Sequence, residues 1–275
     1  MYIPFEIEKY EVKGLLGRGA EAKVYLLWDK ESNRMVAAKV GRDASGLYRQ
    51  GEVMRSIPGG VCPEVYGFEE KDGQGILYME YVEGETLQEY RRCKGPLSEE
   101  EAVQLLIKII DLLIYVHQKG VAYLDNKPSN IILRKDGRVC LIDFGAASRL
   151  GCNAGVRGGT YGYAAPEQFW RGVETDERSD VYACGKLLLY LMTQKDPAYP
   201  PYEDEVFLPA LPVYMQDIVR TATACDVRYR YRDLLNLKQK LYENFHARRR
   251  RLFHGKSKNC IICEKSIWKS DYFRE

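Results

Sequence analysis

Tyr123-Leu124-Asp125-Asn126-Lys127-Pro128-Ser129-Asn130, followed after a short hairpin by Asp143-Phe144-Gly145, is the stretch on which the reading of this 275-residue chain turns. One loop carries an Asp, a Lys and an Asn; a second loop carries another Asp. Asp125 can accept the proton of an attacking hydroxyl. Asn130 and Asp143 offer oxygen ligands to Mg²⁺, a hard cation that keeps few protein ligands and shares the rest of its shell with phosphates and water. Lys127 can neutralise charge on a transferred phosphoryl group. This set of side chains suits phosphoryl transfer; a polar turn with the same letters by chance is the rival.

Working outward, other segments fall in a telling order. Upstream, Leu16-Gly17-Arg18-Gly19-Ala20-Glu21-Ala22-Lys23-Val24 reads as strand, glycine turn, strand, where glycines let backbone amides approach phosphate oxygens. Met35-Val36-Ala37-Ala38-Lys39 alternates as a strand does. Residues 47–57 read as a short helix stopped by Pro58-Gly59-Gly60. Val65 to Gly84 reads as two antiparallel strands joined by a Gly-rich turn. Ser98-Glu99-Glu100-Glu101 is a capping box opening a helix that is apolar over most of Val103–Val116. Downstream stand Gly159-Thr160-Tyr161-Gly162-Tyr163-Ala164-Ala165-Pro166-Glu167, Asp180 at the head of an apolar run, and Arg230.

Asp-Asn-Lys-Pro-Ser-Asn with Asp-Phe-Gly, together with these segments, resembles the eukaryotic-type (Hanks-type) Ser/Thr protein kinase family, in the wording of bacterial cytosolic members. The resemblance covers residues 10–245. It implies an α+β, bilobal fold: an antiparallel β-rich N-lobe with hinge over 1–82, a mainly helical C-lobe over 83–245, and a basic, cysteine-containing tail over 246–275. It implies ATP with Mg²⁺ (or Mn²⁺) as cofactors. Leu16, Gly17, Arg18 and Gly19 would lie over the phosphates, and Lys39 would bind the α- and β-phosphates. Val24, Ala37 and Ile132 would sandwich adenine, Met79 would guard the pocket, and the backbone of Glu80 and Val82 would bond the base. Glu52 is the expected ion-pair partner of Lys39; Asp43 lies too close to Lys39 to sit on a following helix. Asp125 and Lys127 would be catalytic, and Asn130 and Asp143 would hold the metal. Thr160 should sit near Asp125 and Lys127, Glu167 should pair with Arg230, and Asp180 should brace the catalytic-loop backbone. His117 is expected to make a structural hydrogen bond.

Three departures from the family pattern stand out. Ala22 replaces the third glycine, and Tyr123-Leu124 precede the catalytic Asp where the family has His-Arg. The missing arginine normally pairs with a phosphorylated residue. From Arg149 to Gly159 there is no Ser, Thr or Tyr. Both features point to an enzyme that works without a phosphate on this segment. Lys127 two residues after Asp125 is the Ser/Thr pattern, so a protein substrate with a Ser or Thr acceptor is expected. A nucleotide-binding pseudokinase acting as a scaffold, and a small-molecule kinase of related fold, are the alternatives.

Composition agrees with a globular chain, 45% hydrophobic and 29% charged. A net charge of +2 does not announce a nucleic-acid partner. Eight scattered cysteines and no apolar run of about 18 residues suggest a reduced, cytoplasmic protein without a membrane span. In the tail, His246–Arg251 is basic, and Cys260-Ile261-Ile262-Cys263 has metal-ligand spacing with His254 nearby, although unrelated cysteines fit as well. A second copy of the chain is an open partner.

Overall fold

The computed structural model describes residues 5, 8–57, 59–151, 158–170, 175–197 and 201–253. Cys260, Cys263 and His254 lie outside them. In chain order the elements are β1 (Tyr10–Arg18), β2 (Ala22–Asp29), β3 (Arg34–Gly41), α1 (Ala44–Arg55), β4 (Val65–Lys71), β5 (Gln74–Glu80), β6 (Glu85–Thr86), α2 (Leu87–Lys94), α3 (Glu99–Gln118), β7 (Val121–Ala122), β8 (Ile131–Leu133), β9 (Val139–Leu141), β10 (Ser148–Arg149), α4 (Glu177–Thr193), α5 (Val213–Ala222) and α6 (Leu234–Phe253). They form two compact units. The first holds Met1–Glu85 with Ile132–Ala147, and the second holds Thr86–Ile131 with Ser148–Glu275.

In the first unit five antiparallel strands pair in the order β1-β2-β3-β5-β4. Side chains alternate between the faces of a sheet, so its two faces carry different chemistry. One face packs Tyr25, Leu27, Val36, Ala38, Val40, Ile76 and Tyr78 around Phe5. The register sets Val24 against Lys39, Leu26 against Ala37, Lys39 against Leu77 and Ala37 against Met79. Cross-strand partners share a face. The opposite face therefore carries Val24, Ala37, Lys39, Leu77 and Met79. Residues 132–147 belong to this unit because Leu141 donates its amide to the Val61 carbonyl (2.9 Å). Arg134 also pairs with Glu80 at 3.0 Å.

The second unit is helical. α2 and α3 each open with a full capping box, Thr86 with Glu89 and Ser98 with Glu101. Each box satisfies amides that a helix start leaves free, and replacing such a cap typically costs about 1 kcal/mol. α4 is its central helix, buried on nearly every side from Ser179 to Leu191. A helix buried on all sides belongs in the middle of a core, and its polar members need partners there. Lys186 is buried on it and pairs with the buried Asp204. No helix of the described residues is long and apolar enough to cross a membrane.

Candidate active site

A first group of candidate residues is built on the Lys39 face of the sheet in the first unit. Lys39 Nζ lies 2.8 Å from Asp143 Oδ1 and 2.9 Å from Gln50 Oε1. Asp143 Oδ1 also accepts the Gly145 amide at 2.9 Å. Three elements, β3, α1 and the loop after β9, thus converge on one ammonium.

The acidic partner expected for Lys39 was Glu52, and here the structure corrects the reading. Glu52 is exposed and pairs with Arg55 at 2.7 Å, one turn along the helix. At 3.6 residues per turn, positions 50 and 52 sit about 200° apart around the axis. The face that α1 buries is Leu47, Gln50, Gly51 and Met54. Gln50 is 3% exposed, and its amide nitrogen reaches Met54 Sδ at 3.8 Å. The residue facing Lys39 is therefore a neutral amide. Helical periodicity carried the signal, since 47, 50, 51 and 54 follow the i, i+3, i+4, i+7 pattern of a buried stripe.

The remaining nucleotide-side residues fall in the same unit. The turn between β1 and β2 is closed by the Gly19 amide on the Ala22 carbonyl (2.9 Å). Gly17 pairs with Val24 and Arg18 with Lys23, while Leu16 falls at a break in register and is exposed. Ala37, Met79 and Val82 are buried. Ile132 lies beside Gly84, where a Cβ would come within 2.7 Å of the Ile132 side chain. The Glu80 amide is already taken by the Glu64 carbonyl at 2.8 Å. That amide is therefore not offered to a base, which narrows the expected role of the residue. The nearby thiols Cys62 and Cys140 are buried, and burial pushes each up to about 12, so neither is a nucleophile.

A second group, around the catalytic loop, lies in the second unit. Asp125 Oδ2 accepts Asn130 Nδ2 at 2.6 Å and Lys127 Nζ at 2.9 Å. Asp125 Oδ1 accepts the Thr160 hydroxyl at 3.0 Å, and Lys127 Nζ reaches the same hydroxyl oxygen at 2.7 Å. Asp125, Lys127, Asn130 and Thr160 therefore form one closed cluster. The short 3₁₀ turn Pro128–Asn130 brings Asn130 back under Asp125. The loop is braced from α4: Asp180 accepts the Tyr123 and Leu124 amides, each at 2.8 Å, and contacts His117 Nε2 at 2.8 Å. Leu124 sits at φ 65°, a left-handed backbone that costs a non-glycine residue about 1–2 kcal/mol. Glu167 and Arg230 form a buried two-pronged pair at 2.6 and 2.7 Å.

Among the described residues no three His, Cys, Asp or Glu side chains assemble a metal cage. Asn130 turns its amide nitrogen to Asp125, which leaves its carboxamide oxygen for other use. Asp143 engages Lys39 and Gly145 through one oxygen. Each, taken by itself, is an oxygen donor of the kind a hard cation accepts beside phosphate and water.

The protein kinase domain model matches residues 10–208, nearly three quarters of the chain, and this chain belongs to that family. A probable serine/threonine-protein kinase of Streptomyces coelicolor is 33% identical, over 81% of this chain and 38% of that protein. Serine/threonine-protein kinase PrkC of Bacillus subtilis is 29% identical, over 88% of this chain and 41% of its own length. Serine/threonine-protein kinase PknG of Mycolicibacterium smegmatis is 35% identical, over 67% of this chain and 25% of its own. The chain thus spans about two fifths of the first two relatives.

Proposed function

We propose that this chain is a serine/threonine protein kinase that moves the γ-phosphoryl of ATP to a protein hydroxyl, and that it does so without phosphorylation of the segment between Gly145 and Thr160. The closed cluster of Asp125, Lys127, Asn130 and Thr160 carries the reading. An acceptor hydroxyl bonded to Asp125 would give up its proton to that carboxylate as the oxygen attacks phosphorus. Lys127 would hold charge on the transferred group, and Thr160 would set the rotamer of Asp125 by occupying its other oxygen. Lys39 would orient the α- and β-phosphates, with Val24, Ala37, Met79, Val82 and Ile132 around adenine. A divalent cation such as Mg²⁺, held through Asn130 and Asp143, supplies neutralisation of phosphate charge when bound. The serine/threonine class is supported by the position of Lys127 and by the names of the relatives.

The experiment is transfer of labelled γ-phosphate from Mg-ATP to a generic protein acceptor, with Asp125→Asn as control. Phosphatase-treated protein should transfer label to Ser or Thr at the same rate as untreated protein, within about twofold, because Leu124 offers nothing for a phosphate to bind. Loss of most activity on treatment would remove the phosphate-independent part of the reading. A nucleotide-binding scaffold is the second reading, favoured by Gln50 standing where Lys39 lacks an acidic helix partner. ATP binding without transfer would support it.

Gln50 also makes a prediction that separates it from Glu52. A hydrogen bond to a charged group contributes about 1.5–3 kcal/mol, so Gln50→Leu should lower kcat/KM for ATP about 10- to 100-fold. Glu52→Ala should leave it unchanged within about twofold, as for other exposed substitutions. Steady-state kinetics with varied ATP checks both; the reverse order would return Glu52 to the site.

A further inference from the structure

Gln168 follows Glu167 in the sequence, yet its side chain points back to the catalytic loop. It is 1% exposed. Its Nε2 donates to the Leu124 carbonyl at 2.9 Å and to the Gly158 carbonyl at 3.1 Å. Its Oε1 accepts the Ala165 amide at 3.0 Å. A buried primary amide has two donor hydrogens and one acceptor oxygen, and all are engaged.

The two carbonyls are well chosen. Leu124 O belongs to the peptide that carries the Asp125 amide, so its orientation sets the direction in which Asp125 leaves the backbone. That peptide follows a residue at φ 65°, which persists only if its surroundings over-determine it. Asp180 holds the Leu124 amide from one side, and Gln168 holds the Leu124 carbonyl from the other. Gly158 O lies two residues before Thr160, whose hydroxyl bonds Asp125. The approach is close: a Cβ on Gly159 would stand 2.4 Å from Ala164 Cβ and 3.1 Å from Gln168 Nε2.

We propose that Gln168 is the positioning residue that staples the segment bearing Thr160 to the catalytic loop, so that one neutral amide does here what a phosphate bound to an arginine would otherwise do. The inference rests on the kinase reading of the Asp125 cluster. A buried amide with three hydrogen bonds is always present, so the link needs no upstream enzyme to make it. No covalent change is involved.

The test uses the full chain, phosphatase-treated, as wild type, Gln168→Met and Gln168→Glu. Methionine keeps length and apolar volume but loses every hydrogen bond. Glutamate keeps an acceptor for Ala165 but turns an oxygen toward two carbonyls. The proposal expects kcat for peptide phosphorylation to fall about 10- to 100-fold in both, the scale on which misplaced groups act. Binding of Mg-ATP, measured directly by calorimetry, should stay within about twofold. Hydrogen exchange at the Tyr163 and Ala164 amides, which donate to the Thr160 carbonyl, should quicken in both variants. Wild-type kcat in both variants would overturn the proposal, with the kinase reading intact. Loss of ATP binding in both would also overturn it, since Gln168 would then be a folding residue. If wild type itself transfers nothing, the kinase reading fails, and exchange alone decides: faster exchange in Gln168→Met supports the staple, and unchanged exchange overturns it.

Discussion

Asp143→Asn is expected to lower phosphoryl transfer by about 10³-fold or more while the protein stays folded. The size follows from what the carboxylate does. It is the anion that Lys39 holds at 2.8 Å, and it is an oxygen ligand proposed for the divalent cation. Charge aimed at a transferring phosphoryl group is the main source of catalysis in this chemistry, and removing one such contact elsewhere costs about 10²–10³. Stability should change little. The Asp143 side chain is 35% exposed, so its pair with Lys39 is screened, and its loss costs about 1 kcal/mol or less. Transfer rate and thermal unfolding, measured on one preparation, check both halves. Retained turnover in a folded Asp143→Asn would take this residue out of the chemistry.

Arg230→Ala is expected to act in the opposite way, through the fold. The guanidinium is fully buried, and it makes two bonds to Glu167 and further bonds to the Ala224 and Arg178 carbonyls at 2.8 and 3.1 Å. It also lies 4.9 Å from the Tyr182 ring centroid. Removing it leaves a buried carboxylate whose remaining side-chain hydrogen bond among the described residues comes from the Ser179 hydroxyl at 2.7 Å. Breaking one side of a buried pair costs about 3–5 kcal/mol. For a unit of this size that corresponds to a fall in Tm of about 10 °C. Replacing both partners, as Glu167→Met with Arg230→Met, should cost less than Arg230→Ala, because no charge is stranded. Thermal unfolding of the three proteins decides it; an Arg230→Ala that melts with wild type would show that the pair carries no stability.

The site could be read in the sequence wherever a residue's chemistry was itself the signal. Asp125, Lys127 and Asn130 stood in one loop, and Thr160 and Arg230 stood at family positions; the structure brings Thr160 to Asp125 and Arg230 to Glu167. The Asp180 brace and the hydrogen bond of His117 were expected and are present. Glu52 stands out in the sequence because it is acidic, whereas the face of α1 is decided by which side chains can be buried. The structural role of Gln168 is not legible in the sequence, because a neutral amide advertises nothing until its partners are known, and those partners are 10 and 44 residues away. The attachment of 132–147 to the first unit depends on contacts such as Leu141 with Val61, which no local pattern reveals.

Lys39 meets α1 through an amide, and this changes what holds that helix to its sheet. With no ion pair to draw it in, the spacing is set by volume. Gly51 lies so close that a Cβ there would stand 3.0 Å from Leu77 Cδ1, and Met54 and Leu47 are buried with it. Salt weakens the attraction between two charges, and among the described residues it finds that attraction between Lys39 and Asp143, not between Lys39 and α1. The helix is a packed part rather than a tethered one. A single added methyl group at position 51 would do more to shift it than any change in ionic strength.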